Sequence, residues 1–310
     1  MKHRLTRREF MQTAAVAVAA TGGAVWSRWA KAADKSGNPM PPALRRIDSH
    51  AHGWWSGPPD VLRAYIAECR KRGIERIVLI QSEDTLFDTY ARCPEFVIPV
   101  AQVNIDAIKP DEISRLVERG AKGIKFIGPM HSYGADVYFP LYERLCRLCV
   151  PAVFHTGYLM VGLFEKDGRF YEKPSLIDIT DMRPAAIDRI VRGFPSLKIL
   201  MAHFGNPWWE ETWKMISTHR NVYADLSGGT AYRRSMLMWS EMFAPDGKLD
   251  VASAGKLCFG SDAGYFAPDR YSFLDYVAFY ERFFDRVGMP ENLREKINRG
   301  NMLELFGLKA

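Results

Sequence analysis

The sequence predicts an α/β fold, a closed (β/α)8 TIM barrel, on three observations. Short apolar runs of strand length alternate with amphipathic stretches of helix length along nearly the whole chain. Eight such runs fall in about 265 residues, the size at which an eight-stranded parallel sheet closes on itself. Histidines and an aspartate collect where those runs end, on the side of a barrel where sites are built. An open doubly wound sheet is the rival, and periodicity alone does not separate the two.

The strands are expected at 46–48, 76–80, 97–103, 123–126, 150–154, 198–202, 222–225 and 256–259. Each is a short apolar run, several bounded by Gly or Pro, such as Gly73 before the second and Pro195 before the sixth. Helical periodicity fills 60–72, 111–119, 140–149, 184–192, 210–219 and 232–243, then 271–287 and 291–306. There is no internal repeat and no sign of a second domain, so residues 46–310 read as one catalytic barrel.

Ahead of the barrel, residues 1–32 read as an export signal. Thr6-Arg7-Arg8-Glu9-Phe10-Met11 resembles the twin-arginine consensus, and the Ala- and Gly-rich run at 14–26 is too short to span a bilayer. Ala30-Lys31-Ala32 supplies a small-x-small cleavage site, and the Pro-, Gly- and Ser-rich stretch at 33–45 is a linker. The expected partner is the twin-arginine export machinery, and the expected location is the periplasm. This leader carries +5 of the chain's formal +6, so the basic character is not that of a nucleic-acid binder. A chain folded before export needs no disulfides, which suits an odd count of five cysteines. Cys146 and Cys149 have CxxC spacing but lie in a helical segment, where small buried hydrophobes are expected.

The chemistry gathers at the strand ends. His50 and His52 end the first strand two residues apart, so both imidazoles point the same way and can serve one ion. His155 ends the fifth strand, His203 the sixth, and Asp262 follows the eighth. In a barrel these ends converge, and four imidazoles with a carboxylate suit one divalent ion, Zn²⁺ first, with Mn²⁺ or Fe²⁺ as alternatives. Any one of these histidines alone would be weak evidence, since a core histidine is commoner than a ligand. His131, in the loop after the fourth strand, is a further candidate for the mouth.

With those residues in place the sequence resembles the amidohydrolase superfamily, in the amidohydrolase-related branch of metal-dependent TIM-barrel enzymes that includes aminocarboxymuconate-semialdehyde decarboxylase. The resemblance runs from about Ile47 to Leu308 and rests on His50-Ala51-His52 with Gly260-Ser261-Asp262, and on the closing segment 298–308. It implies that His50, His52, His155 and Asp262 ligate one metal ion, and that His203 contacts substrate or shuttles a proton. Asp48 would steady a ligand or be purely structural. In binuclear relatives a lysine near Lys125 is carboxylated and bridges two ions; Lys125 could equally bind a substrate carboxylate or reach out of the barrel.

The expected reaction is hydrolysis of an amide, lactone or ester, with Asp262 as general base toward a metal-activated water and His203, or the ion itself, polarising the carbonyl. The alternative is a nonoxidative decarboxylase of an aromatic or unsaturated acid, which Arg183 or Lys125 at the mouth would favour. Trp54, Trp55, Tyr158, Trp208, Trp209, Tyr265 and Phe266 all follow predicted strand ends. They point to a small cyclic substrate, or to an interface in a homo-oligomer.

Overall fold

The structure is a computed structural model, and it describes residues 45–159, 163–166, 169–172, 176–229, 234–267 and 271–309. The leader 1–32 and all but the last residue of the linker 33–45 lie outside the described residues. Among those described, no helix is long and apolar enough to cross a membrane.

The barrel opens with β1 (Arg46–His52), α1 (Pro59–Lys71), β2 (Ile74–Gln81), α2 (Glu83–Arg92), β3 (Val97–Val103), α3 (Pro110–Glu118), β4 (Gly123–Phe126), α4 (Phe139–Leu148) and β5 (Ala152–His155). An antiparallel hairpin follows in the chain, β6 (Leu163–Lys166) against β7 (Arg169–Glu172). The alternation resumes with α5 (Ala186–Gly193), β8 (Ile199–Ala202), α6 (Trp209–Thr218), β9 (Val222–Asp225), α7 (Met236–Phe243), α8 (Val251–Ala254), β10 (Leu257–Cys258) and β11 (Ala263–Gly264). It ends with α9 (Phe273–Arg286), α10 (Glu291–Glu295), a π-helical turn at Lys296–Gly300 and α11 (Asn301–Phe306).

The parallel sheet runs β10-β9-β8-β5-β4-β3-β2-β1-β11. Its two edges, β10 and β11, are consecutive pieces of one segment. Leu257 and Cys258 pair with β9, while Ala263 and Gly264 pair with β1. Between them Ser49 N donates to Phe259 O at 2.8 Å and Asp262 N to His50 O at 2.7 Å. The eighth barrel strand therefore breaks near Phe259 and changes partner, which closes the sheet as the expected barrel. Strands buried on both faces read as continuous apolar runs, as in Ile77–Ile80, because helices cover the outside and packed side chains fill the inside.

The floor is sealed by the closing helix. Met302, Leu305 and Phe306 of α11 pack on Ile47, Val78, Val100, Val153, Leu200 and Tyr223. Gly123 makes room for this plug, since a Cβ there would lie 2.9 Å from the Phe306 ring and 3.1 Å from Val100.

Three elements differ from expectation. Helix α2 has no counterpart in the sequence reading, because its buried face is only Leu86, Phe87 and Thr89. The hairpin was also unforeseen, as its strands are only four residues long, with Leu163-Phe164 and Phe170-Tyr171 as adjacent pairs rather than an alternation. The closing helix holds a π-turn, which shifts the register of its apolar stripe. Cys149 is exposed rather than buried, because it caps α4 in a left-handed conformation with φ 54°. All five cysteines are free thiols.

Candidate active site

Strand β1 presents Ser49, His50 and His52 to the site. Its register against β2 slips between Asp48 and Ala51, and a bulge of this kind re-aims side chains. Ser49 Oγ thus reaches Asp225 Oδ2 at 3.2 Å while His50 Nδ1 stands 3.7 Å from the same oxygen. His50 Nε2 faces Asp262 Oδ1 at 3.5 Å, and His52 Nε2 faces it at 3.1 Å.

The other strand ends complete a cup. The His50 ring centroid lies 5.1 Å from that of His52 and 4.7 Å from that of His203, and His155 lies 4.6 Å from His203. His203 and Asp262 both adopt left-handed backbone conformations, φ 66° and 61°. Such conformations are costly for non-glycine residues and persist where surrounding bonds impose them. Here Asp225 Oδ1 accepts from His203 N at 2.9 Å, and Asp262 N donates to His50 O.

Three of the expected residues fit an ion most closely. The donor atoms of His50, His203 and Asp262 lie within 4.8 Å of one another. His203, expected at the substrate, thus joins the ligand-distance group, while His52 and His155 stand beside it. The hydrogen-bond pattern at His52 supports a cation here. Its Nδ1 lies 2.9 Å from Ile80 O, and a carbonyl only accepts, so the ring proton sits on Nδ1. Nε2 then faces a carboxylate oxygen at 3.1 Å, a contact that needs positive charge on or between the two groups, from a second ring proton or a bound ion. Neutral imidazole and carboxylate donors suit zinc, manganese or iron.

Burial sets the charge states. His50 and His203 are held well below the ordinary imidazole range, mainly by burial, with Lys125 and neighbouring histidines adding to it. His155 is pushed down to about 3 by burial and then by Lys125. These three imidazoles are accordingly neutral, the state that ligates. Lys125 lies in β4 between Ile124 and Phe126, and its ammonium is buried. Burial lowers it to about 8, opposed by the attraction of Asp225 and Asp262. Its Nζ has no hydrogen-bond partner. Lys125 therefore points into the cup rather than out of the barrel.

Asp48 lies fully buried behind this layer and accepts from His50 N at 3.1 Å, Ser261 N at 3.0 Å, Ser261 Oγ at 2.5 Å and Tyr265 Oη at 2.8 Å. It ties the His50 end of β1 to the segment carrying Asp262. Desolvation raises it to about 6 despite those four bonds, which pull the other way.

The expected substrate residues divide. Trp54 (44% exposed) and Tyr158 (52%) present open rings, whereas Trp55, Tyr265 and Phe266 are buried and belong to the packing. Arg183 is engaged elsewhere: its guanidinium pairs with Glu211 and lies over the Trp208 ring at 5.2 Å. His131 is exposed, with its ring against Tyr138. Sequence reasoning missed Asp225 and Ser227, which touch His203. A strand-ending aspartate followed two residues later by serine was the available signal.

Comparison with known proteins agrees with the barrel. No curated protein matches the chain. An uncharacterised TIM-barrel protein from Bordetella bronchiseptica superposes with a TM-score of 0.58 at 18% identity, over 85% of this chain and 99% of that one. The 2,6-dihydroxybenzoate decarboxylase from Rhizobium gives 0.55 at 15% identity, over 85% and 99%. The 5-carboxyvanillate decarboxylase from Novosphingobium aromaticivorans, solved with manganese and 4-hydroxy-3-methoxy-5-nitrobenzoic acid, gives 0.54 at 15%, over 87% and 100%. At such identities the likeness establishes the fold alone. The sequence model of one family matches residues 47–308, spanning every barrel strand and every residue of the cup, and the chain belongs to that family, the amidohydrolases.

Proposed function

We propose that the chain is a metal-dependent carboxy-lyase that removes CO₂, without oxidation, from an aromatic or unsaturated acid. Lys125 carries this reading. A buried ammonium without a hydrogen-bond partner, in the same cup as Asp225, Asp262 and the imidazoles, suits an anionic substrate group. Hydrolysis of a neutral amide, lactone or ester has no need of such a cation. The decarboxylase names among the structural neighbours support the same choice.

His50, His203 and Asp262 would hold one divalent ion, with His52 and His155 alongside. When bound, the ion supplies a Lewis-acidic positive charge for substrate oxygens. Lys125, itself buried, supplies the positive charge that favours a carboxylate in the cup. Asp262, with its side chain 33% exposed, is the one carboxylate of the three that substrate can reach, because Asp48 and Asp225 are sealed. The bonding pair of the broken C–C bond stays on the substrate carbon, which takes up one proton that Asp262 relays from solvent as CO₂ leaves. Trp54 and Tyr158 offer flat apolar walls to a ring.

The test supplies 2,6-dihydroxybenzoate and 5-carboxyvanillate, in D₂O, to enzyme loaded with zinc or manganese. CO₂ should appear with one solvent deuteron on the vacated carbon, and Asp262→Asn should abolish this. The family assignment favours a second reading, hydrolysis by an activated water. Uptake of solvent ¹⁸O from a lactone or amide panel, with no CO₂ from aromatic acids, would establish that reading instead. The leader supports export to the periplasm by the twin-arginine machinery as a further part of the proposal.

A further inference from the structure

We propose that Asp225 is the positioning residue of the centre: one sealed carboxylate that holds both His50 and His203 in place and keeps His50 presenting its lone pair to the ion. The inference rests on the reading of His50, His203 and Asp262 as a metal site.

Asp225 is fully buried at the end of β9. Its two oxygens serve different strands. Oδ1 accepts from His203 N at 2.9 Å and from Ser227 N at 3.0 Å. Oδ2 accepts from Ser49 Oγ at 3.2 Å and faces His50 Nδ1 at 3.7 Å. Ser227 Oγ in turn lies 3.0 Å from His203 Nδ1. Asp225 thus acts on His203 twice, through its backbone and, by way of Ser227, through its ring.

Packing holds this arrangement in register. A Cβ at Gly260 would lie 2.9 Å from the Asp225 Cβ and 2.5 Å from Ser49 Oγ. A Cβ at Gly228 would lie 2.8 Å from His203 Nδ1. Glycine at both positions is what lets the carboxylate and the imidazole come this close to the neighbouring backbone.

The consequence for His50 is electrostatic. Its Nδ1 has no hydrogen-bond partner and looks at a carboxylate oxygen. Two lone pairs facing each other repel, whereas an N–H facing a carboxylate is attracted. The neutral ring therefore places its proton on Nδ1 and its lone pair on Nε2, toward Asp262. An asparagine at 225 has nearly the same shape and retains an oxygen for His203 N and Ser227 N. Its amide N–H₂ would face Ser49 and His50, and a donor there favours the opposite tautomer.

The experiment is Asp225→Asn in the full barrel, at a pH where the imidazoles are neutral. Two readouts are independent of turnover: ¹⁵N ring shifts of the metal-free protein, and zinc affinity by competition with a chelator. The expected result is a His50 ring with its proton moved to Nε2 and zinc bound about 10- to 100-fold more weakly, the usual effect of losing a group that orients a ligand. Should Asp225→Asn fail to fold, Ser227→Ala leaves the carboxylate and removes only the hydroxyl. It should move the His203 ring signals and weaken zinc, leaving His50 unchanged. Unaltered tautomers and unaltered affinity in whichever variant folds would overturn the proposal. Failure of wild-type protein to bind zinc would refute the metal reading instead, and the ring shifts alone would then decide the role of Asp225.

Discussion

Acidification should destabilise the metal-free protein well before ordinary, solvated carboxylates begin to protonate. His50, His155 and His203 all have imidazoles held below their ordinary value by burial, His155 down to about 3. A group with a lowered folded pKa favours the fold at high pH, and that advantage is lost as the unfolded chain gains protons below about pH 6.5. At pH 5.5 each such imidazole costs about 1.4 kcal/mol relative to pH 7.5, and three cost about 4 kcal/mol. Asp48 works the other way. Its carboxyl is raised to about 6, so its burial penalty eases as pH falls and returns roughly 0.8 kcal/mol over the same interval. The net loss is about 3 kcal/mol, a sizeable share of an ordinary domain's stability and worth roughly 6 °C in Tm for a barrel of this length. Urea unfolding of chelator-treated protein at intervals from pH 7.5 to 5.5 measures it. A flat profile, or one rising toward pH 5.5, would refute the view that burial keeps these rings neutral. His155→Gln should remove about a third of the gross loss.

Three further outcomes follow. Lys125→Met replaces the buried ammonium by an apolar side chain of similar length; stability should hold or rise, and KM for an aromatic acid should increase about 10- to 100-fold, the worth of one charged hydrogen bond. Gly228→Ala combines a Cβ 2.8 Å from His203 Nδ1 with a backbone φ of 75°; urea midpoints should report a loss of about 1–3 kcal/mol, and zinc affinity should fall with it. Replacing Arg7 and Arg8 together by Lys should leave the protein in the cytoplasmic fraction, whereas unchanged export would remove the twin-arginine reading of the leader.

Much of the fold could be read along the chain because parallel strands buried on both faces are uninterrupted apolar runs. The stretches 97–103, 123–126 and 222–225 were expected at the residues where β3, β4 and β9 lie. The candidate ligands were legible for a related reason: in a barrel every strand end meets the others, so a histidine's place at the end of a run already says what it will face. What the chain could not disclose is which polar residues are sealed. Asp225 ends a strand as Asp48 lies within one, and neither differs on paper from a solvated aspartate; only the closed sheet removes their water and supplies Ser49, Ser261 and Tyr265 as partners. Arg183 looked like a free cation until α6 placed Glu211 against it, and Lys125 looked ambiguous until the barrel enclosed it without a partner. Residue type and strand position are local properties and were determined by the sequence. Desolvation, and the choice of partner that desolvation enforces, depend on segments about 20 to 200 residues apart and were decided only by the tertiary structure.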